Sequence, residues 1–382
     1  MSALRFLQVS DLRFGSVPPL PELEIDGRVR RLLVEDQRRV LERIVALAGE
    51  HHADLVLVAG DLIDDAHATP EDADLVMRAL ASLAPRPVIV APGELDPPHP
   101  ASYLSPDVLE LMGKTPLPAH VTVFRAPVPA TVVVGAVAVT GWAIPLRGSE
   151  DPPRGALAIP RATAAHHVLL AQQGKPVYPM LPTPRQLVDA GVRYMALGRD
   201  TSTLLMRDED GVPRLGWAGH PCPHGLSAGA GGVLLGEIDD HGVVRIEVAD
   251  AGARRVHLLD VDVTGLGAAE LSTHLKLVLP ERGVRERDLA LVRLRGHWPH
   301  AKLPAVKKRA LEPFCTHVRL DLAGLNMAFR PGATVRDQHR AGLVPAVGDP
   351  HAAARLEALR LVDAAWEGGE VSPSGENPSD PV

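Results

Sequence analysis

Aromatic residues are scarce in this 382-residue chain, where Phe, Tyr and Trp together make up 3%. A core with so few rings must pack on aliphatic side chains, and few stacking platforms remain for nucleic-acid bases. Cysteine is scarcer still. Cys222 and Cys315 fall in different predicted domains, which excludes a disulfide framework and leads us to expect a reducing, cytoplasmic setting. An excess of positive charge is also missing, because 40 Lys and Arg face 47 Asp and Glu for a formal net charge of -7. That excludes a surface binding nucleic acid all over and leaves only local basic patches. Long unbroken hydrophobic runs are absent too. The start, MSALRFLQVSD, meets Asp11 before an apolar core of signal-peptide length can form, so no leader is expected. The uncharged stretch between Arg125 and Arg147 is long enough to span a bilayer, but three prolines and internal glycines interrupt it. Its Val-rich alternation predicts a β-hairpin turning near Gly135, not a membrane helix.

Proline and glycine are plentiful instead, at 36 and 34 residues, and imply many turns. The length favours one large domain and a smaller second one. The first half alternates strand-like and helix-like runs. LRFLQVS (4–10) reads as a strand, Val29, Leu33, Val40, Ile44 and Leu47 form one helical stripe, and DLVLVAG (54–60) reads as a buried strand. A helix from Pro70 to about Leu83 and the strand RPVIVAPG continue a parallel sheet. Short helices near 106–112 and 184–190 and strands VTVF, HHVLLAQ and VRYMALG follow. From 203 to about 263 the pattern is purely β, including a hairpin turning at DDHG, and then a small α/β module begins. It comprises a helix over 267–279, the strand LALVRLRG and a helix over 302–311. These readings give a domain over 1–258, a second over 259–345, a C-terminal helix over 346–367 and a disordered tail over 368–382. Between Arg282 and Arg309 nine Lys or Arg face two acids, as either a solvated face or a phosphate-backbone contact.

Ligands of such sheets gather at the carboxyl ends of strands. Those ends are SDLRFG (Asp11, Arg13), AGDLIDD (Asp61, Asp64, Asp65), APGELD (Glu94, Asp96), LLAQQ (Ala171, Gln172) and ALGRDTS (Arg199, Asp200, Thr201). Their order resembles the calcineurin-like metallophosphoesterase superfamily, and within it the SbcD and YhaO type of DNA-repair exonuclease subunit. The Pro-Gly-rich RLGWAGHPCPHGLSAGAGGVLLGEID and the module opening with LLDVDVTG resemble that type's closing hairpin and capping domain. The resemblance implies an α/β fold: a two-sheet β-sandwich flanked by helices, plus a small α/β cap. It also implies two divalent cations, usually manganese, held by Asp-x-His, Gly-Asp-x-x-Asp, Gly-Asn-His-Asp/Glu, a single His after a strand, and Gly-His-x-His.

Carried onto this chain, Asp11 and Asp61 match metal-ligating acids, and Asp64 and Asp96 supporting ones. The other positions differ. Arg13, Glu94, Leu95 and Ala171 stand where the family has His, Asn, His and His, and Gly198-Arg199-Asp200-Thr201 replaces Gly-His-x-His. Leu95 can neither stabilise a transition state nor protonate a leaving oxygen. Without cations Asp11, Asp61 and Glu94 repel one another, whereas Arg13 and Arg199 bring permanent charges to two former ligand positions. We expect Glu94 to hold Arg199 in a site that has become structural, with no cofactor; phosphate binding by the two arginines is the competing reading.

From these replacements we expect a subunit that has lost metal-dependent hydrolysis and acts as scaffold or DNA-end-binding partner; the resemblance implies an SMC-like coiled-coil ATPase of the SbcC or YhaN kind as its partner, with DNA and a second copy of the chain as further expected partners and no membrane. The alternative is a residual phosphodiesterase or exonuclease using one Mn²⁺ on Asp11, Asp61 and Glu94. His220, Cys222 and His224 have period-two spacing and zinc-competent atoms, but flanking prolines and the lack of a fourth ligand favour a structural role. The pairs His51-His52 and His166-His167 read as packing or exposed residues.

Overall fold

The computed structural model describes residues 3–17, 20–145, 159–173 apart from 161 and 163, 181–226, 231–298, 306, 310–327, 351, 354–356 and 358. The expected tail and nearly all of the expected C-terminal helix lie outside them, as does most of the helix expected over 302–311. The chain packs as two compact units, Met1–His257 with Arg287–Leu289, and Leu258–Glu286 with Ala290–Val382.

The first unit opens with β1 (Leu4–Val9), α1 (Gly27–Glu50), β2 (Leu55–Ala59), α2 (Pro70–Ser82) and β3 (Val88–Ala91). Asp26 caps α1 by accepting from the Val29 amide at 2.9 Å, and the predicted stripe from Val29 to Leu47 is its buried face. Thr69 and Asp72 form a reciprocal capping box on α2, with Pro70 in its first turn. Strands β2 and β3 are short, apolar and buried throughout, as strands covered on both faces must be. Next come α3 (Val108–Leu111), β4 (Val121–Val123), β5 (Ala130–Val134), β6 (Val137–Gly141), β7 (His166–Gln172), α4 (Pro184–Asp189) and β8 (Tyr194–Gly198). Strands β9 (Leu204–Arg207), β10 (Pro213–Trp217), β11 (Val233–Ile238) and β12 (Val244–Ala249) complete the unit.

Two six-stranded mixed sheets result, in the orders β12-β11-β1-β2-β3-β4 and β5-β6-β7-β8-β10-β9. The uncharged stretch of the sequence is the β5–β6 hairpin, and no described helix is long and apolar enough to cross a membrane. Alternation along each strand separates the layers. In β7, Val168 and Leu170 join Phe6, Leu57 and Tyr194 between the sheets, while Leu169 and Ala171 pack outward around Leu187 of α4. The outer face of the first sheet packs on α1 and α2 through Val40, Ile44, Val76 and Met77. One buried polar clasp crosses the inter-sheet layer. The Tyr194 hydroxyl donates to Gln8 Oε1 at 2.7 Å, and Gln8 Nε2 donates to the Gly216 carbonyl at 2.8 Å and the Leu197 carbonyl at 3.1 Å.

The third sheet holds β13 (Val256–Asp262), β14 (Leu289–Trp298) and β15 (His317–Asp321), with β16 (Leu325–Met327) parallel to β14. Helix α5 (Leu271–Glu281) adds Leu271, Leu275 and Leu279 to the second unit's aliphatic core.

Candidate functional site

Strands β1, β2 and β3 run parallel in one sheet, and β6, β7 and β8 run parallel in the other. The turns after β1, β2, β3, β7 and β8 supply the candidate site. Its backbone is unusual. Asp11, Arg13, Asp61 and Arg199 all adopt positive φ, between +48° and +88°, a region costly for residues with a side chain and tolerated where surrounding contacts over-determine it. Here the Asp11 amide donates to the Gly60 carbonyl at 2.9 Å and the Arg13 amide to the Asp61 carbonyl at 2.8 Å. Glycine is sterically required beside them: a Cβ on Gly93 would lie 2.2 Å from Asp61 Oδ1, and one on Gly198 only 1.7 Å from the Ala59 carbonyl oxygen.

Asp11 and Asp61 are buried at the centre. Arg13 lies against both, its Nη2 at 3.4 Å from Asp11 Oδ1 and 3.4 Å from Asp61 Oδ2. Burial, then the charge of Asp61, pushes the Asp11 carboxyl up to about 7, opposed by the Arg199 amide, which donates to Asp11 Oδ2 at 2.6 Å, and by Arg13. Burial also raises Asp61, against the Leu95 amide at 3.0 Å and Arg13. On the far side Arg199 Nη1 donates to Glu94 Oε1 at 2.6 Å and to the Gln173 carbonyl at 2.9 Å.

The two supporting acids stand behind this layer. Asp96 is fully buried and accepts from the Gly93 amide at 2.6 Å and the Leu62 amide at 2.7 Å. Burial and then Asp61 push its carboxyl up to about 8 despite those amides. Asp64 closes the turn before α2, accepting from the Ala66 amide at 3.2 Å and meeting His67 Nδ1 at 2.9 Å.

Asp11, Arg13, Asp61, Glu94 and Arg199 therefore come together, and the structure corrects the position read as Ala171. That side chain faces outward with Leu169, whereas Gln172 enters the site, donating through Nε2 to Asp11 Oδ1 at 3.2 Å and accepting from the Glu94 amide at 2.8 Å. Period-two alternation carries the signal, since Gln172 shares the face of Val168 and Leu170.

His220 and His224 also belong here. His220 Nε2 lies 3.7 Å from Asp11 Oδ1, and the two imidazoles meet edge to face with centroids 5.1 Å apart. Burial and then the Arg13 charge push them down to about 3 and about 4, so both are neutral. Both ring nitrogens of His220, and Nε2 of His224, are buried without a hydrogen-bond partner. Cys222 leaves the group: it sits in the helix-side apolar core, its thiol pushed up by burial. The three residues thus share no face, because their segment is not a strand. Within the described part of the basic stretch, Arg287 pairs with Asp250 at 3.6 Å, Arg293 with Asp321 at 3.7 Å and Arg295 with Asp260 at 2.9 Å. His167 hydrogen-bonds Thr140 at 2.8 Å and His51 the Gly236 carbonyl at 3.1 Å, both structural contacts.

A pair of bound metal ions does not fit these residues as they stand. The guanidinium of Arg13 lies against both central carboxylates, Arg199 neutralises Glu94, and no group of three or more His, Cys, Asp or Glu among the described residues is arranged to hold an ion.

Residues 4–140 match the family model described as calcineurin-like phosphoesterase. No curated protein matches the chain at a significant level. Among solved structures, TT1561 of Thermus thermophilus is 15% identical, with 65% of this chain and 99% of that one covered at a TM-score of 0.36. GAP50, the anchor in the inner membrane complex of Plasmodium, is 10% identical, with 66% and 86% covered at a TM-score of 0.34. The family match is confined to residues 4–140, and the α/β architecture of mixed sheets and flanking helices is consistent with a metallophosphoesterase fold.

Proposed function

We propose that this domain has given up two-metal hydrolysis and serves as a scaffold or DNA-end-binding partner of an SMC-like coiled-coil ATPase, as its resemblance to SbcD and YhaO subunits implies. The observation that carries the first half of this reading is the Arg13 guanidinium beside both Asp11 and Asp61. Two-metal hydrolysis needs paired cations to lower the pKa of a bridging water and to clamp the attacking and leaving oxygens. A guanidinium supplies charge and hydrogen bonds but has no open coordination position. Leu95 adds no proton to a leaving group. The second half, the partner, is supported by the resemblance of the strand ends and cap alone.

The test is a manganese-supplemented nuclease assay on single- and double-stranded DNA, comparing wild type with Asp61→Ala, alongside metal analysis of the purified protein. No cleavage and no stoichiometric metal support the scaffold reading. Cleavage that disappears in Asp61→Ala establishes the alternative, a residual phosphodiesterase on Asp11, Asp61 and Glu94. Co-purification with a coiled-coil ATPase supports the partner, and failure to bind one removes it.

A further inference from the structure

We propose that the open edge of β5 is a pairing surface whose occupant is β5 of a second copy of this chain, joined antiparallel. This pairing is independent of the carboxylate site and holds whether or not that site hydrolyses anything.

A strand at the edge of a sheet presents unpaired N–H and C=O groups, and proteins that stay apart blunt such edges with charge, brevity, proline or a bulge. The two sheets of the first unit end, among the described residues, in four edges: β12, β4, β5 and β9. Three of them carry such a device. Strand β12 alternates Arg245 and Glu247 with apolar residues, and Arg245 is held by Asp239 at 3.2 Å. Strand β4 is three residues long. Strand β9 is four residues long, ends in Arg207 and meets β10 through a register shift. Strand β5, ATVVV, has none of these. No charged residue occurs from Ala126 to Leu146, and Pro127 and Pro129 precede the strand without entering it. Its ladder with β6 runs without a shift over Ala130–Val134. Val133 is 65% exposed and Val128 51%, so apolar side chains accompany the open backbone.

The lack of charge also selects the occupant. A partner recognised by opposite charge finds nothing to read on β5, whereas an uncharged apolar strand brings no unpaired charge to the contact, and the chain's own β5 is such a strand. An antiparallel register centred on Val132 sets the two Val132 residues side by side and Thr131 of each copy opposite Val133 of the other. Opposed residues of antiparallel strands share a face. Val132 and Val134, which pack against the inter-sheet layer, therefore stay on that face, and Thr131 covers the exposed Val133 on the other. Two six-stranded sheets become one of twelve strands about a twofold axis, an isologous contact that closes after two copies. A five-residue edge buries little, so the dissociation constant is expected to be on the order of 10 to 100 µM.

The test follows the full chain by sedimentation velocity from about 1 to about 300 µM, a range that brackets this affinity. Wild type is expected to pass from monomer to dimer across it. Val133→Lys, shown to be folded by circular dichroism, adds a charge to each exposed edge and is expected to raise the dissociation constant at least about tenfold. A second measurement does not depend on that variant. Val132→Cys is expected to cross-link to its own copy under mild oxidation, because the twofold sets the two Cβ atoms about 5 Å apart, and the native Cys222 and Cys315 are buried and do not compete. A wild type that stays monomeric, a dimer that Val133→Lys leaves intact, or a Val132→Cys protein that forms no cross-linked dimer overturns the proposal. So does a dimer lost instead on Leu111→Lys, at the exposed end of α3.

Discussion

Replacing Arg13 by Met keeps most of the side chain's volume and removes its charge, so it isolates what the guanidinium does for Asp11 and Asp61. The Nη2 contacts of 3.4 Å correspond to about 5 kcal/mol each at an effective dielectric near 20 and about 1 kcal/mol each in bulk water. Removing one partner of a buried pair costs about 3–5 kcal/mol. With Arg13 24% exposed, a loss of about 2–4 kcal/mol is expected at pH 8. The pH dependence separates charge from packing. Asp11, raised to about 7 from 3.8, binds a proton in the folded state that the unfolded chain has released. Its contribution to wild-type stability is therefore present at low pH and is lost as pH rises from about 4 to about 7. Without Arg13 the folded pKa rises further, the loss extends above pH 7, and the variant's deficit shrinks towards pH 5.5, where Asp11 is protonated in both proteins. Urea unfolding at pH 5.5 and 8 in the presence of a chelator reads this directly. An equal deficit at both pH values refutes the electrostatic reasoning and leaves lost packing as the cause; no deficit at pH 8 refutes it as well.

Glu94→Gln removes the acceptor charge of the Arg199 pair and should lower stability by about 1–2 kcal/mol at pH 7, since both side chains are 18% exposed; thermal melts check it, and a stabilised variant would contradict the pairing. Gln8→Leu strips the inter-sheet clasp from the Tyr194 hydroxyl and two carbonyls and should cost about 2–4 kcal/mol in urea unfolding; a neutral result would show that the clasp is dispensable. Gly93→Ala places a methyl carbon 2.2 Å from Asp61 Oδ1 and should destabilise by about 2 kcal/mol or more, whereas an unchanged melting temperature would mean the turn relaxes freely. A chelator should leave the wild-type melting temperature unmoved, because Arg13 and not a bound ion neutralises the central carboxylates; a fall of several degrees would count against that assignment.

Much of the fold was legible because its signals are local. The stripe from Val29 to Leu47, the Thr69–Asp72 box and the turn at Gly135 each specify their own element. Asp11, Asp61, Glu94 and Arg199 were legible because acids and arginines immediately after parallel strands have few other places to go. Gln172 stood among the strand-end residues, but its role was obscured by a single residue of register: taking Ala171 for the family's histidine position ignored which face of β7 meets the other sheet. His220 and His224 were hidden for a different reason. Their period-two spacing suggested a shared strand face with Cys222, but the segment turns, sending the thiol into the core and the imidazoles towards Asp11. No local pattern encodes that divergence, which depends on packing against residues some 200 positions earlier in the chain.

The central assignment is that Arg13 occupies the place of a metal ion between Asp11 and Asp61. A crystal of the wild-type protein soaked in manganese, with anomalous data at the manganese edge, tests it most directly. We predict no anomalous peak beside Asp61 and guanidinium density against both carboxylates; two strong peaks there, with Arg13 turned away, would contradict it.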